Sequence, residues 1–467
     1  MIMRECAALI LAAGMGTRMK SALCKVLHPV AGRPMVLYVV DAVHAAALEK
    51  IAIVVGHQGD KVRACVGAPG IDFVLQEPQL GTGHAVAAAE SLFDGFTGDI
   101  LILCGDIPLL EPDTLRRFIL FHQERDSRLT VLTTFPASPF GYGRIIRDKS
   151  GQISRIVEEK DANDREKTQR EINTGVYLAE ALTLFALLKR VGNHNAQKEY
   201  YLTDIVAEAV KESIPVEGFV LEDSRQATGI NTRADVASAS AVVWERRREE
   251  LMDSGVTLLD PATVYVDHAV RIGCDTVVHP VVTISGNTEI GHECVVESGV
   301  NISDSRIGNQ VKILQGSRLD RAVVDDETTV GPMANLRPES NIGKRARIGN
   351  FVEVKKTVVG DGSKAAHLSY LGDSYIGKDV NIGCGTITCN YDGKEKHQTT
   401  IHDRCFVGSD VQFVAPVVIG EGSLIGAGST ITKDVPPHSL ALSRAKQRVY
   451  PLRKGQGSKS SDEDRQS

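Results

Sequence analysis

The 467-residue sequence lacks several features that would assign it to a class of protein directly. No apolar run is long enough to cross a membrane. The short run 6–13 follows the acidic Glu5 and leads into a glycine loop, which argues against a signal peptide. The nine cysteines include no C-x-x-C pair, so we expect reduced thiols and a cytoplasmic protein. The net charge of −6, from 53 basic and 59 acidic residues, favours neither nucleic acid nor a membrane as a partner.

The second half of the sequence contains a six-residue repeat. Hydrophobic residues recur at every sixth position over residues 266–302, 324–354 and 401–431, and glycine often follows them. This period fits neither an α-helix nor an alternating strand, and is typical of a parallel β-helix. Three units close one coil, so residues eighteen apart should stack about 4.8 Å above one another. The repeat is predicted to lapse between Val354 and Ile376, and to take one coil plus one residue from Ile382 to Ile401.

The first half alternates aliphatic runs with helical patterns, which predicts a mostly parallel, doubly wound α/β sheet. Its predicted strands, buried on both faces, are residues 7–11, 51–55, 73–76, 100–103 and 129–134, and two of its predicted helices are residues 36–47 and 83–91. Ligands on such sheets bind beyond the carboxyl ends of the strands.

A helical linker is predicted between the two halves. Thr232 and Asp235 have the spacing of a capping box, and the charged run 245–250 is interpreted as a solvated helix face. The expected organisation is an α/β domain over residues 1–231, a linker over 232–253, a β-helix domain over 254–453 and a disordered tail over 454–467.

The loop after the first strand has the chemistry of a phosphate site. Residues 11–19 combine glycines, which let backbone N–H groups approach a phosphate chain, with Arg18, and Lys25 follows. A dehydrogenase fingerprint is excluded because its third glycine is missing, and the lysine-hydroxyl ending of a P-loop is absent as well. Asp106 leaves a hydrophobic strand where it could hold Mg²⁺ against a triphosphate.

These motifs, with Gly143-Arg144, Glu158, Asn173 and Asn231 further on, carry a resemblance. The first half resembles the sugar-1-phosphate nucleotidyltransferases. With the hexapeptide repeats, the chain is similar to the bifunctional N-acetylglucosamine-1-phosphate uridyltransferase/glucosamine-1-phosphate N-acetyltransferase family. That resemblance implies a Rossmann-like nucleotidyltransferase domain, a helical linker and a left-handed parallel β-helix with acetyltransferase activity.

The resemblance also implies the residues of the nucleotide site. Arg18 and Lys25 are expected to be catalytic, and Asp106 and Asn231 are expected to hold Mg²⁺. The residues expected to bind UTP and UDP-N-acetylglucosamine are Leu11, Ala12, Ala13, Gly14, Lys25, Gln76, Gly81, Thr82, Cys104, Gly105, Asp106, Gly143, Glu158, Asn173 and Asn231. Cys24 and Cys104 depart from the family, which often has proline and an aromatic residue there, and both are interpreted as small buried hydrophobes.

Polar residues concentrate within 336–390, where a β-helix coil by itself requires only aliphatic and small ones. A projecting loop is predicted over residues 391–400. His367 is the candidate proton acceptor for acetyl transfer because histidine titrates near neutrality. Its surrounding string 362–373 closely matches the family's acetyltransferase motif.

By the same resemblance, the acetyl acceptor is bound by Arg337, Lys355, Tyr370 and Asn381, and acetyl-CoA by Cys384, Asn390, Tyr391, Ser409, Ala427 and Arg444. Cys384 is interpreted as a tolerated small residue rather than a covalent nucleophile.

The implied function is acetylation of glucosamine 1-phosphate by acetyl-CoA, followed by transfer of UMP from UTP with release of pyrophosphate. UDP-N-acetylglucosamine serves peptidoglycan and lipopolysaccharide synthesis, and the family's members are cytoplasmic homotrimers. Two alternatives stay open: another sugar-1-phosphate nucleotidyltransferase with a regulatory β-helix, and a non-catalytic scaffold. The string around His367 disfavours the first, and the intact Lys25, Asp106, Asn231 and His367 disfavour the second.

Overall fold

The computed structural model describes residues 4–451, so the predicted tail over 454–467 lies outside the described residues. The chain divides into two compact units. The first extends to Glu250 and includes residues 266–268, and the second comprises residues 251–265 and the chain from Ala269 onward. Within residues 4–451, no helix is both long and apolar enough to cross a membrane.

The first unit is an α/β sheet covered by helices. Its strands are β1 (Cys6–Ala12), β2 (Pro29–Val30), β3 (Arg33–Pro34), β4 (Ile51–Val55), β5 (Ile71–Leu75), β6 (Asp99–Cys104), β7 (Leu129–Thr134), β8 (Arg144–Arg147), β9 (Ile153–Val157), β10 (Ile172–Glu180) and β11 (Val216–Leu221). Its helices are α1 (Met35–Ala45), α2 (Gly59–Val66), α3 (Thr82–Ala87), α4 (Pro112–Glu124), α5 (Asp164–Lys167), α6 (Ala181–Leu188), α7 (Asp204–Lys211) and α8 (Arg233–Asp253).

The main sheet has the order β11-β7-β10-β6-β1-β4-β5, and β10 is antiparallel to both of its neighbours in an otherwise parallel arrangement. This confirms the predicted mostly parallel α/β fold. The aliphatic runs form strands because the sheet has a separate hydrophobic core on each face. β5 was predicted to be buried on both faces, and that was wrong: it is the edge strand, and Leu75 is exposed. The helix predicted over 83–91 ends at Ala87, and a 3-10 turn follows at Glu90–Phe93.

Helix α8 begins where the capping residues predict. The Asp235 carboxylate accepts the backbone N–H groups of Asn231 and Thr232, both at 2.8 Å, and the Thr232 hydroxyl accepts the N–H of Asp235 at 3.2 Å. The charged run on this helix is not only a solvated face. Arg246 donates to the carbonyl oxygen of Leu109 at 2.9 Å and pairs with Glu111 at 2.7 Å, because its long side chain reaches the loop before α4.

The second unit is a parallel β-helix with three faces, as predicted. Face A contains Thr257–Leu258, Val277–Val278, Val295–Val296, Lys312–Ile313, Thr329–Val330, Arg347–Asn350, Lys364–His367, Asn381–Ile382, Phe406–Val407, Leu424–Ile425 and Leu440–Ala441. Face B contains Tyr265–Val266, Thr283–Ser285, Asn301–Ser303, Arg318–Asp320, Asn335–Leu336, Ile387–Cys389, Gln412–Val414 and Thr430–Ile431. Face C contains Arg271–Ile272, Glu289–Ile290, Arg306–Ile307, Val323–Val324, Ser340–Ile342, Thr399–Ile401 and Val417–Ile419. Two longer strands, Glu353–Val359 and Tyr370–Ile376, turn from face B onto face C.

The six-residue count does break between Val354 and Ile376, as predicted, but the core is continuous there. Val359, Ala365 and Leu371 fill it in coils one residue shorter than eighteen. The second prediction about the repeat was wrong, because Ile382 and Ile401 are not one coil apart. Ile382 lies on face A and pairs with Val407, whereas Ile401 lies on face C and pairs with Ile376. The extra length is an exposed loop that ends before Thr399–Ile401 begins.

One corner of the β-helix carries a ladder of polar side chains. Asn309, Asp326, Asp361 and Asp403 each accept a backbone N–H from the coil before them, at 3.1, 2.9, 3.0 and 2.8 Å. These backbone hydrogen bonds, helped by Lys344, hold the pKa of Asp326 below its usual value. Asn309 occupies the same position one coil earlier, so an amide also fits this corner.

We therefore expect Asp326→Asn to isolate the effect of the charge. A carboxyl with a lowered pKa stabilises the fold above its unfolded pKa of about 3.9, and this contribution disappears as the pH falls through the folded value. The melting temperature of the wild type should exceed that of the variant at neutral pH, and the gap should close below about pH 4. Asp320→Asn is the control, because Asp320 accepts from the side chains of Ser303 at 3.4 Å and Arg321 at 3.2 Å instead of from a backbone N–H. A gap that is constant with pH would contradict this account.

Candidate active sites

The carboxyl ends of three parallel strands build a pocket of about 420 Å³ in the first unit. The loop after β1, the residue after β5 and the end of β6 meet there because these strands are neighbours or near neighbours in one sheet. The predicted residues that line it are Leu11, Ala12, Ala13, Gly14, Lys25, Gln76, Gly81, Thr82, Cys104 and Asp106. The N–H of Gly105 donates to the Leu11 carbonyl at 2.9 Å, which ties the two strand ends together.

Two glycines are required by the shape of this pocket. Gly16 has a φ of +67°, and a Cβ there would lie 2.5 Å from the Cβ of Lys25. Gly81 has a φ of +110°, and its Cβ would lie 2.6 Å from the carbonyl oxygen of Tyr200. A larger residue at either position would displace the loop from its neighbour.

Charged groups converge at one side of the pocket. The Lys25 ammonium contacts the Asp106 carboxylate and donates to Asn231 Oδ1 at 2.7 Å. Arg18 Nη2 donates to the same Asn231 oxygen at 2.8 Å. Arg18 and Asn231 are not among the lining residues, but these contacts attach both to the pocket through Lys25.

The predicted metal ligands have the right chemistry and direction for a hard divalent cation. Asp106 and Asn231 point their oxygens at one cationic group, and a carboxylate with an amide oxygen is a donor pair that suits Mg²⁺ when substrate phosphates and water complete the shell. Among residues 4–451, no cluster of three or more His, Cys, Asp or Glu side chains is arranged to hold a metal ion.

Gly143, Glu158 and Asn173 form a second group beside this pocket. Asn173 N–H donates to the Gly143 carbonyl at 2.9 Å, and a Cβ on Gly143 would lie 3.5 Å from the Glu158 carboxylate. Burial raises the pKa of Glu158, and Thr203 donates to it at 3.2 Å. Cys104 connects the two groups, since its Sγ lies 3.8 Å from the carbonyl oxygen of Gly175 and Gly175 N–H donates to Asn173 Oδ1 at 3.1 Å.

Sequence reasoning missed three residues of this site: Gln79 and Glu199 line the pocket, and Thr203 holds Glu158. Glu199 and Thr203 come from the segment before α7, far along the chain, and no motif marks them. The pocket reaches them because Gly83 N–H donates to the Tyr200 carbonyl at 2.8 Å and Tyr200 N–H donates to the Leu80 carbonyl at 2.8 Å.

In the β-helix, the predicted acetyl-transfer residues stack along the corner between faces A and B. The strand registers place His367, Cys384, Ser409 and Ala427 at equivalent positions of successive coils, with Asn350 one coil before His367. Arg444 Nη1 donates to the Ala427 carbonyl at 3.0 Å, which brings Arg444 to the end of the same column.

His367 is exposed, and its Nδ1 donates to Asn350 Oδ1 at 2.9 Å. An amide oxygen only accepts hydrogen bonds, so the Nδ1 proton is held there and the Nε2 lone pair is left for a substrate. Asn350 is a further residue that sequence reasoning missed, and only the seventeen-residue coil spacing could have indicated it.

The predicted acceptor residues lie mostly on face B. Arg337 Nη1 donates to Glu353 at 2.8 Å, Tyr370 pairs with Glu353 in the sheet, and Lys355 lies two residues along the same strand. Asn381 is the exception, because it lies on face A beside Lys364. Asn390 and Tyr391 lie where face B meets face C, one or two residues beyond the register position of Lys355. Asn390 is buried and donates to Asp373, whereas Tyr391 is 60% exposed in the loop.

Comparison with known proteins agrees with both units. Residues 8–156 match the MobA-like NTP transferase domain, and residues 398–433 match the bacterial transferase hexapeptide (six repeats). Bifunctional protein GlmU from Pelobacter propionicus is 52% identical, with 95% of this chain and 97% of that protein covered. Its counterpart from Geotalea uraniireducens is 52% identical, with 95% and 98% covered. The Syntrophomonas wolfei protein of the same name is 49% identical, with 96% and 99% covered.

The fold and the two sites thus define a bifunctional transferase, with a nucleotidyltransferase unit followed by a hexapeptide-repeat acyltransferase unit. At about half identity over nearly the full length, the chain belongs to the bifunctional GlmU family. The resemblance found in the sequence is confirmed.

The cysteines of the nucleotide site should be chemically inert. Cys24 is fully buried, as predicted, whereas Cys104 is only partly buried because it lines the pocket. Burial raises the pKa of Cys24, and burial with Asp106 nearby raises the pKa of Cys104 to about 12. Because the thiolate is the reactive form, iodoacetamide at about pH 8 should alkylate both at least tenfold more slowly than the exposed Cys274. Peptide mass spectrometry over time measures the three rates, with denatured protein as the control. Equal labelling of Cys104 and Cys274 in the folded protein would contradict this.

Proposed function

We propose that the chain makes UDP-N-acetylglucosamine in two steps, at one site in each unit. The β-helix site acetylates glucosamine 1-phosphate with acetyl-CoA, and the α/β site then joins the product to UTP and releases pyrophosphate. The observation that carries the proposal is that each unit holds a complete polar constellation of its own: Lys25 with Asp106 and Asn231 in the first, and Asn350 with His367 in the second.

Uridyl transfer is an attack by a phosphate oxygen of the sugar phosphate on the α-phosphorus of UTP. The reaction brings two negatively charged phosphate groups together. It therefore depends on positioning the substrates and neutralising their charge more than on proton transfer. The glycine loop after β1 presents backbone N–H groups to the phosphates, and Lys25 and Arg18 neutralise them. Gln76 and the Gly81–Thr82 backbone bind uracil, while Gly143, Glu158 and Asn173 bind the N-acetylglucosamine moiety.

Mg²⁺ would be held by Asp106 and Asn231 and would neutralise triphosphate charge. In the structure, the same two oxygens bind Lys25, and one of them also binds Arg18. With these oxygens engaged by a cation, the Lys25 ammonium would be free to contact the phosphate chain. Lys25 and the cation would then both place positive charge beside the nucleotide.

Acetyl transfer needs an uncharged amine. His367 Nε2 takes a proton from the amino group of glucosamine 1-phosphate, the amine attacks the thioester carbonyl, and coenzyme A leaves as the thiol. Arg337 and Lys355 bind the sugar's phosphate with Tyr370 beside them, and the column Cys384, Ser409, Ala427 and Arg444 binds acetyl-CoA. The family resemblance also assigns Asn390 and the exposed Tyr391 to acetyl-CoA, although they lie at the far edge of face B from this column.

A homotrimer is consistent with the position of Asn381. Asn381 lies on face A, whereas Arg337, Lys355 and Tyr370 lie on face B, so one prism does not collect all four. A neighbouring chain that presents its own face A would supply the missing amide. We propose that the protein acts in the cytoplasm. Its proposed domains are a uridyltransferase domain over residues 1–231, a helical linker over 232–253 and an acetyltransferase domain over 254–453.

Asp106→Ala tests the first site. Loss of the carboxylate should lower pyrophosphate release from UTP and N-acetylglucosamine 1-phosphate at least about a hundredfold, because charge stabilisation is lost. Release of coenzyme A from acetyl-CoA and glucosamine 1-phosphate should be unchanged. Asp113→Ala, an exposed carboxylate on α4, is the matched control. Loss of both activities in Asp106→Ala would refute independent sites.

His367→Ala should have the reverse effect. Without the base, acetyl transfer should fall by about 10²–10⁴-fold, while pyrophosphate release is retained. Cys384→Ala removes the thiol in the adjacent coil but keeps a small side chain beside acetyl-CoA, so it should keep nearly all acetyl transfer. Near-normal acetyl transfer by His367→Ala would remove His367 as the base, and an inactive Cys384→Ala would revive a covalent route.

A further inference from the structure

Two adjacent glutamates at the end of β9 have different partners. Glu158 faces Gly143 and accepts from Thr203, so it is available to a ligand in the proposed sugar site. Glu159 faces away from that site toward Arg144, the first residue of β8, which pairs in register with Val157. Glu158 therefore faces the proposed sugar site, whereas Glu159 forms an ion pair with Arg144.

Arg144 is a buried cation whose neighbours are part of the loop before β8. Its side chain is only 2% exposed, Nη2 donates to Glu159 Oε2 at 2.7 Å, and Nη1 donates to the carbonyl oxygen of Tyr142. The same Glu159 oxygen accepts the backbone N–H of Gly141 at 3.1 Å. The ion pair is thus hydrogen-bonded to two consecutive residues of the loop, Gly141 and Tyr142, immediately before Gly143.

This loop also reaches the cation-binding side of the pocket. The Tyr142 hydroxyl lies beside the backbone of Gly229, and Asn231 Nδ2 donates to the Gly229 carbonyl at 3.2 Å. On the other side, the Gly143 carbonyl accepts from Asn173 N–H at 2.9 Å. The position of residues 141–143 therefore determines the distance between Gly143 and Glu158.

We infer that Glu159 and Arg144 are a positioning pair that sets the affinity of the uridyltransferase site for its sugar phosphate. The inference rests on the proposed function. Neither side chain needs to touch the substrate. Their ion pair holds the loop so that Gly143, Glu158 and Asn173 present one fixed surface to the sugar, while the UTP loop after β1 is held by separate contacts.

The charge of Glu159 is the property to test. Glutamine at this position keeps the size and one acceptor oxygen but leaves a buried guanidinium without a counter-ion, so the loop loses its anchor. Aspartate keeps the charge and shortens the reach by one methylene. Lysine in place of Arg144 keeps the charge but cannot reproduce the paired geometry of a guanidinium.

Steady-state kinetics of pyrophosphate release should separate these effects. In Glu159→Gln the KM for N-acetylglucosamine 1-phosphate should rise about tenfold or more, while the KM for UTP stays within about twofold. Glu159→Asp should recover part of the loss, and Arg144→Lys should resemble Glu159→Gln. The acetyltransferase activity of each variant, together with its thermal melt, reports whether the protein is folded.

Glu217→Gln is the matched control, because Glu217 pairs with Arg125 at 3.6 Å on the exposed surface of the same unit. It should leave both KM values unchanged. A normal sugar-phosphate KM in Glu159→Gln, or an equal rise in both KM values, would overturn the inference. If the wild type itself does not use N-acetylglucosamine 1-phosphate, the proposed function fails instead, so the two failures are distinguishable.

Discussion

Parallel pairing of the backbone is the constraint on which both units depend. In the α/β unit it brings the carboxyl ends of β1, β5 and β6 to one edge of the sheet, so loops distant in sequence share one pocket. In the β-helix it places equivalent residues of successive coils directly beside one another. His367, Cys384, Ser409 and Ala427 form a column for that reason alone. Each site is thus a consequence of how parallel strands align.

The two sites solve different electrostatic problems. The first must bind negatively charged phosphates, and we propose that it does so with Lys25 and Arg18, whose side chains contact Asp106 and Asn231. The second must remove a proton from an amine. We propose that it uses His367, whose Nδ1 lies 2.9 Å from the neutral amide oxygen of Asn350 rather than beside a carboxylate.

Much of this could be predicted from the sequence because the physical signals are local or periodic. The six-residue repeat indicated a three-faced β-helix, and the glycines after β1 indicated a phosphate loop. The sequence could not predict that the coils around His367 have seventeen residues, since Val359, Ala365 and Leu371 keep the core filled while the spacing changes. The count from Ile382 to Ile401 failed because it joined residues on different faces.

The residues that sequence reasoning missed are positioned by long-range contacts. Thr203 and Glu199 reach the first site through backbone pairing of Tyr200 with Leu80 and Gly83, which no local pattern encodes. The contact of Asn350 with His367 could be predicted only by knowing that this coil has seventeen residues. Glu159 was missed for another reason. The family motif marks its neighbour Glu158, and only the structure shows that the two side chains point in different directions.

The central claim is that the protein carries two separate sites, one built on each unit, for consecutive reactions. The most direct measurement supplies the full-length protein with glucosamine 1-phosphate, acetyl-CoA, UTP and Mg²⁺ and follows coenzyme A, pyrophosphate and the sugar nucleotide together. The account predicts UDP-N-acetylglucosamine, formed with one coenzyme A and one pyrophosphate per molecule, and little product when glucose 1-phosphate or ATP is substituted. Turnover only with glucose 1-phosphate or ATP, without release of coenzyme A, would contradict it.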